Sequence, residues 1–381
     1  MEFKFTEEQK MIRDTARNFA MKELAHDAIE RDEKAIFPEK QVQKMGELGF
    51  LGIMTPPEYG GAGMDAISYC LMIEELAKVD ASAAVIASVN NSLVCHVFEK
   101  FANEDQKQKY LVPLAEGKKL GAYALSEPQS GSDASNMRVT AVLEGDNYRV
   151  NGTKNFITNG ANADIAILFA TTDKTAGTKG IIALVAEKDM QGYSVGKKED
   201  KLGIRSSDTV QLIFEDCLIP VANRLGEEGD GFKIAMNTLD GGRIGIASQA
   251  LGIAQGALER SVKYAKEREA FGKPIANHQA IQFKLANMAT EIEAARLLIY
   301  QSAFKKDIGE PYGKYSAMAK LHASRTAMKV TTEAVQILGG YGYMREYEVE
   351  RFMRDAKITE IYEGTSEIQQ LVIGRAVTKE Y

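Results

Sequence analysis

The run Val139-Thr140-Ala141-Val142-Leu143-Glu144-Gly145-Asp146-Asn147-Tyr148-Arg149-Val150 decides the fold. Two β-branched, alternating segments flank a turn at Gly145-Asp146-Asn147, the pattern of a hairpin. Short apolar runs follow at 165–170, 180–186 and 210–214, again at hairpin spacing and without long helices between them. A small antiparallel β domain over 121–229 is expected, rather than a βαβ sheet.

On either side the pattern turns helical. Upstream, Thr6 with Gln9 is a capping-box pair ahead of Ile12, Ala16 and Phe19. Pro56-Pro57 and the run 59–63 mark a loop, and helical stretches follow at about 66–78, 81–101 and 106–114. Downstream, Leu285, Met288, Ile292, Ala295 and Ile299 repeat at 3-4 spacing. Ala317, Leu321, Ser324, Met328, Thr331, Val335 and Leu338 do the same, and Ala247, Leu251, Ala254, Leu258 and Val262 sketch a third seam. Three long amphipathic helices with a shorter one after Gly364 predict a four-helix bundle. The expected class is α+β, mainly α: a helical N-terminal domain (1–120), a middle antiparallel β domain (121–229) and a C-terminal bundle (230–381). The stripe residues read first as core.

The chain has 381 residues, enough for two or three domains. It carries 47 basic and 53 acidic residues, a net charge of -6, which argues against a nucleic-acid partner. No apolar run approaches the roughly 18 residues of a membrane span, and the start MEFKFTEEQK lacks a secretory or organellar layout. Three separated cysteines (Cys70, Cys95, Cys217) read as reduced thiols in a cytoplasm, and four scattered histidines give no metal-site pattern. No GxGxxG after a strand, GxxxxGK[ST], HExxH, GxSxG or CxxC occurs, so any catalysis falls to carboxylates, backbone donors and a bound cofactor.

The most informative segment is Ile361-Tyr362-Glu363-Gly364-Thr365-Ser366-Glu367. Ser366 with Gln369 suggests a capping box, leaving Glu363 in the loop before a helix N-terminus and Gly364 free to take an unusual backbone angle. A carboxylate beside free N–H groups can remove a proton while those groups stabilise an oxyanion. The plain alternative is a solvated loop acid favoured by the helix dipole. The polar loop 123–133 reads either as a phosphate or ring-edge binder or as a surface connection. Asn155-Phe156-Ile157-Thr158 ends a strand, with Phe156 first a core residue. Leu239-Asp240-Gly241-Gly242-Arg243 reads as a helix start with Asp240 as N-cap; Arg268 and Phe271 close that helix, and Gly339-Gly340 end another.

Together, and in this order, ALSEPQSGSD, NFITNG, LDGGRIG, EREAFGKPI, QILGGYGY and MRDAKITEIYEGTSEIQ resemble the acyl-CoA dehydrogenase family over essentially the whole chain, most of all its short-chain (butyryl-CoA) members. The resemblance implies FAD held between the β domain and the bundle and across a subunit interface of a homotetramer, a dimer of dimers. It assigns Tyr123, Leu125, Ser126, Phe156, Ile157 and Thr158 to the flavin, with Phe156 where many members carry Trp; this chain has no Trp. Arg268, Phe271, Gln279, Gln336 and Gly340 match FAD contacts, several made to a neighbouring subunit's cofactor, and Thr365 and Glu367 match the ribityl–pyrophosphate–adenine side. Ser132, Asp240, Arg243 and Gly364 match acyl-CoA contacts, and Glu363 matches the catalytic base. The implied reaction takes the α-proton to Glu363 and a β-hydride to the flavin. It gives a trans-2-enoyl-CoA and passes electrons to an electron-transferring flavoprotein, or runs in reverse as a crotonyl-CoA reductase. Gly242 stands where isovaleryl- and long-chain members place their base, and Ala84 where glutaryl members carry Arg, which disfavours those substrates. The other readings are a short branched, aryl or alicyclic acyl-CoA, an oxygen-using oxidase, and a non-catalytic flavin-binding scaffold. No nucleic acid, membrane or metal is implied.

Overall fold

Gly145, at φ 60°, turns β2 (Thr140–Glu144) into β3 (Asn147–Thr158), with Glu144 paired to Asn147 across a two-residue loop. A positive φ at the first central position is what a II′ hairpin needs. In the computed structural model, which describes residues 4–380, this hairpin belongs to an eight-stranded sheet. The extreme ends of the first and last expected domains, residues 1–3 and 381, lie outside the described residues. The other strands are β1 (Gly121–Ala124), β4 (Ile165–Thr171), β5 (Ile181–Glu187), β6 (Tyr193–Lys198), β7 (Thr209–Pro220) and β8 (Arg224–Leu225), in the order β6-β7-β3-β2-β4-β5-β8 with β1 beside β4. Most pairs are antiparallel, as the hairpin spacing requires. β1 and β2 instead run parallel to β4, so the sheet is mixed. β1 arrives from the helical segment with no hairpin partner, and the 125–139 loop separates it from β2.

β4 shows why the sheet holds the molecule together. All seven of its residues are buried. Ile165, Ile167 and Phe169 face the core shared with the helices, while Ala166, Leu168 and Ala170 face a second core inside the β region. Period-two alternation with both faces covered makes a continuous apolar run.

Before the sheet the chain is helical from Glu7. Thr6 and Gln9 form the expected capping box. The helix Ala81–Phe101 corrects one expectation: it is long and apolar enough to cross a membrane, yet its apolar window is wholly buried in the protein. Buried Asn90 and Asn91 in its π-helical turn Val89–Cys95 bond to backbone carbonyls of Leu51, Leu114 and Phe50, which fixes it as a core helix.

After the sheet come Gly231–Glu267, Gln279–Asp307 and Gly313–Leu338, packed on one another, then Val349–Ile358 and Ser366–Glu380 against the third. Met288, Ile292, Ala295 and Ile299 are buried as their spacing predicts. On the third helix the buried row is Ala317, Lys320, Ser324, Ala327, Thr331, Ala334 and Leu338, so Leu321, Met328 and Val335 lie beside the seam rather than in it. Asp240 is no N-cap: the first bundle helix starts at Gly231 and runs through Asp240-Gly241-Gly242. There Asp240 pairs with Arg243 one turn on, at 2.6 Å.

Candidate active site

The helix Val349–Ile358 is followed by a seven-residue turn, 360–366, closed by the Ser366 N–H donating to the Glu360 carbonyl at 2.9 Å. Thr365, not Ser366, sits at the cap: its Oγ1 accepts from the Ile368 N–H at 3.4 Å, and the helix begins at Ser366. The expected Ser366–Gln369 capping box is therefore displaced by one residue. Gln369 uses its amide to donate to the carbonyls of Gly364 (2.9 Å) and Glu363 (3.3 Å). Within this turn Glu363 is left-handed (φ 53°), followed by Gly364 (φ 94°). Two successive positive φ values point the Glu363 side chain inward, against the first bundle helix.

The arriving carboxylate meets a helix stripped of side chains. A Cβ on Gly242 would overlap Glu363 Oε2 and approach Leu93, which comes from the π-helical turn; one on Gly245 would overlap the hydroxyls of Tyr69 and Ser88. Those hydroxyls bond each other at 2.8 Å. One turn further, Tyr362 bonds Gln249, which donates to the Ala81 carbonyl at 2.7 Å. Glu363 Oε2 is buried with no hydrogen-bond partner among the described residues. Burial pushes the Glu363 carboxyl up to about 7, against the opposing pull of Lys320 and Arg243. Burial likewise raises the Asp240 carboxyl and lowers the Arg243 guanidinium, whose Nε also lacks a partner.

A second surface gathers the 123–132 loop and the end of β3. The Asn155 N–H donates to the Ser126 carbonyl at 2.8 Å, and buried Lys154 donates to the Leu125 carbonyl at 3.0 Å. Lys154 also pairs at 2.8 Å with buried Glu127, whose carboxylate accepts from the N–H groups of Arg138 (2.6 Å) and Val139 (3.1 Å). This buried acid scaffolds the loop. Opposite the register shift between Lys154 and Ile157 the strand bulges. Phe156 takes φ 58° there and its ring stands 62% exposed. A bulge re-aims a side chain out of the sheet, so Phe156 is no core residue but a presented aromatic face. Tyr123 and Leu125 are buried beside it, Ser126 and Thr158 half-buried, and the Ile157 side chain lies in the β core. Ser132 is exposed farther along the loop; Thr365 is half-buried and Glu367 exposed in the first turn of the last helix.

Arg268, Phe271, Gln279, Gln336 and Gly340 are elsewhere. Arg268 and Gly340 line a surface cleft of about 430 Å³, and Phe271, at the tip of the 269–274 hairpin, is 96% exposed at φ 54°. Gln279 and Gln336 are exposed near the ends of the second and third bundle helices. Along the first helix, Arg268 lies 26 residues beyond Gly242, a rise of about 39 Å. These five do not join Glu363 within one chain.

Sequence reading passed over Lys320, Tyr69, Ser88, Gly245 and Gln249. The signal available was Gly242 followed by Gly245, one helical turn apart, glycines that a helix keeps for close approach.

Comparison with known proteins agrees with this layout. Family models described as acyl-CoA dehydrogenase N-terminal, middle and C-terminal domains match residues 6–118, 122–217 and 229–378. A short-chain specific acyl-CoA dehydrogenase of Clostridium acetobutylicum is 54% identical, with 98% of each chain covered. The solved butyryl-CoA dehydrogenase of Megasphaera elsdenii is 51% identical, with a TM-score of 0.98 over 99% of this chain and 100% of that one. A chain solved in work on the electron transferring flavoprotein of Acidaminococcus fermentans and flavin-based electron bifurcation is 55% identical, with a TM-score of 0.98 over 99% of both. With three successive domain models matched in order and relatives alike from end to end, this chain belongs to the acyl-CoA dehydrogenase family.

Proposed function

We propose that this FAD-dependent oxidoreductase dehydrogenates butyryl-CoA to a trans-2-enoyl-CoA, with Glu363 as the base and an electron-transferring flavoprotein as electron acceptor. The observation that carries the reading is the Glu363 carboxylate, turned inward by two left-handed residues, unpartnered, and raised by burial to about 7. A base near working pH is suited to an α C–H of low acidity. The turn's backbone bonds are donated by Ile361, Tyr362 and Ser366, which leaves the Glu363 N–H available to a developing thioester oxyanion. Arg243 and Asp240, which flank Gly241-Gly242 on the first bundle helix, Gly364 and the exposed Ser132 are assigned to the acyl-CoA. The Tyr69–Ser88 pair closes the space at the level of Gly245, about 4.5 Å along the helix from Gly242, which favours a short acyl group.

The residues present fit FAD. Phe156 offers an exposed ring on a bulge of β3, the neighbouring Lys154 and Asn155 tie the strand to the carbonyls of Leu125 and Ser126, and Tyr123, Ile157, Thr158, Thr365 and Glu367 are assigned to the same cofactor. FAD, when bound, supplies the acceptor for the hydride equivalent from the β carbon. Arg268, Phe271, Gln279, Gln336 and Gly340, which lie near the ends of the bundle helices or in their connections, are assigned to a neighbouring copy's FAD in a homotetramer. Exposed Phe283, Leu297 and Phe304, spaced by sevens or fourteens along one helix, supply apolar surface for such assembly. We assign the three domains to 1–120, 121–229 and 230–381. A cytoplasmic location accords with three free, buried cysteines.

Anaerobic titration of the yellow protein with butyryl-CoA tests the reading: bleaching of the flavin supports it, and no bleaching with any C3–C8 acyl-CoA overturns it. The likeness to the chain from the bifurcation work favours a second direction, crotonyl-CoA reduction, read by reoxidation of the reduced protein with crotonyl-CoA.

A further inference from the structure

Lys320 has no part in the chemistry above, yet it occupies a costly place. It sits on the inward row of the third bundle helix at 0% exposure. A buried ammonium requires a partner, and among the described residues no carboxylate lies within ion-pair reach of it. Its Nζ donates instead to the carbonyl oxygen of Gly364, at 2.7 Å. Gln369 donates to that same oxygen from the last helix. The left-handed turn is thus held from two sides, by one charged donor and one neutral donor. Glu363 Oε2 has no hydrogen-bond partner among the described residues, so its aim depends on the backbone those donors hold.

The charges around Glu363 are few. The first bundle helix supplies Arg243 with its partner Asp240, and the third supplies Lys320. Tyr69, Tyr123 and Tyr362 also face it, each neutral and raised by burial. Arg243 spends its charge on Asp240. Glu360 and Glu367 lie near Lys320 but outside pairing distance. Among the described residues Lys320 therefore brings the one positive charge that faces the base without a carboxylate of its own.

We propose that Lys320 is a positioning residue for proton abstraction, its ammonium clamping the Gly364 carbonyl so that the adjacent Glu363 carboxylate stays both aimed and ionised. The inference rests on Glu363 being the base. A bland alternative exists, that Lys320 only closes a helix contact, and it predicts loss of stability with no change in pH dependence. Burial lowers Lys320 to about 8, so its charge is present while the base ionises.

The test is single-turnover bleaching of the FAD-loaded full chain by butyryl-CoA across pH 5–9. Lys320→Met should bleach at least tenfold more slowly at its plateau, with its acidic limb moved up by about 1 pH unit or more, while flavin content stays unchanged. Lys320→Arg should restore the limb, and Gln369→Leu should slow bleaching without moving it. If Lys320→Met does not fold, Lys320→Gln, a donor without charge, carries the same limb prediction. An unmoved limb in Lys320→Met and Lys320→Gln, with Glu363→Gln inactive, overturns the role of Lys320 alone. Persistent bleaching in Glu363→Gln overturns the base assignment instead.

Discussion

Glu363 Oε2 rests against the bare Cα of Gly242, in the volume a Cβ there would fill. The catalytic turn and the first bundle helix are thus fitted to each other by the absence of one methyl group. Gly242→Ala should leave the fold intact, since alanine gains roughly 1 kcal/mol of helix propensity and the atoms it meets are ends of flexible side chains. The carboxylate must give way, and a displacement of this order costs about 100-fold in rate. Thermal melting and stopped-flow bleaching check this together; a wild-type rate would refute the fit.

Glu363→Gln should retain flavin and lose bleaching by about 10²- to 10⁴-fold. In the native protein the rate should rise with pH through about 7, because the base must shed its proton. Stability follows with the opposite sign. The folded state holds this proton more tightly than the unfolded chain, whose ordinary value is 4.5. The charged form therefore weakens the fold progressively from about pH 4.5 to above 7, and makes no difference below that range. Melting at pH 8 and pH 4 should show the variant gaining at the former only.

Phe156→Ala removes a ring that is 62% exposed, so the melting temperature of the apoprotein should hardly move. Flavin affinity should fall about 3- to 10-fold, the worth of an aromatic stacking contact. Phe156→Trp gives the chain its first tryptophan, and its fluorescence should be quenched as FAD is added. Unchanged FAD affinity in the alanine variant, measured by equilibrium dialysis, would remove Phe156 from the cofactor surface.

Tyr69→Phe takes away the hydroxyl that meets Ser88 over Gly245. Relief of that polar wall should raise the ratio of kcat/KM for hexanoyl-CoA over butyryl-CoA about tenfold, the scale of one or two methylenes in a pocket. A constant ratio would show that the acyl chain does not run toward Gly245.

Much of this was legible before any coordinates. The hairpin at Gly145 announced the sheet, the 3-4 seams announced the bundle, and Glu363 stood before a helix start as read. What escaped detection depended on partners distant in sequence. Asp240 resembles an N-cap because its local pattern is that of one; only the packing of Glu363 and Leu93 against Gly242 explains why that glycine belongs inside a helix instead. Lys320 was invisible because a lysine next to a seam normally faces water, and nothing in its neighbours announces a carbonyl 44 residues away. Phe156 reads as core by its type and as a flavin contact only by resemblance; the bulge that turns it outward has no signal in its neighbours. Parallel pairing of β1 with β4 depends on a chain entering from another domain, which hairpin spacing does not encode.

Strand β4, with every residue committed to one or other of the two cores, has a thermodynamic corollary. Withdrawing it would open both interiors at once, so neither the sheet nor the helices that lean on it can melt separately. A chain with three family segments should then give one calorimetric peak rather than separate ones for sheet and helices.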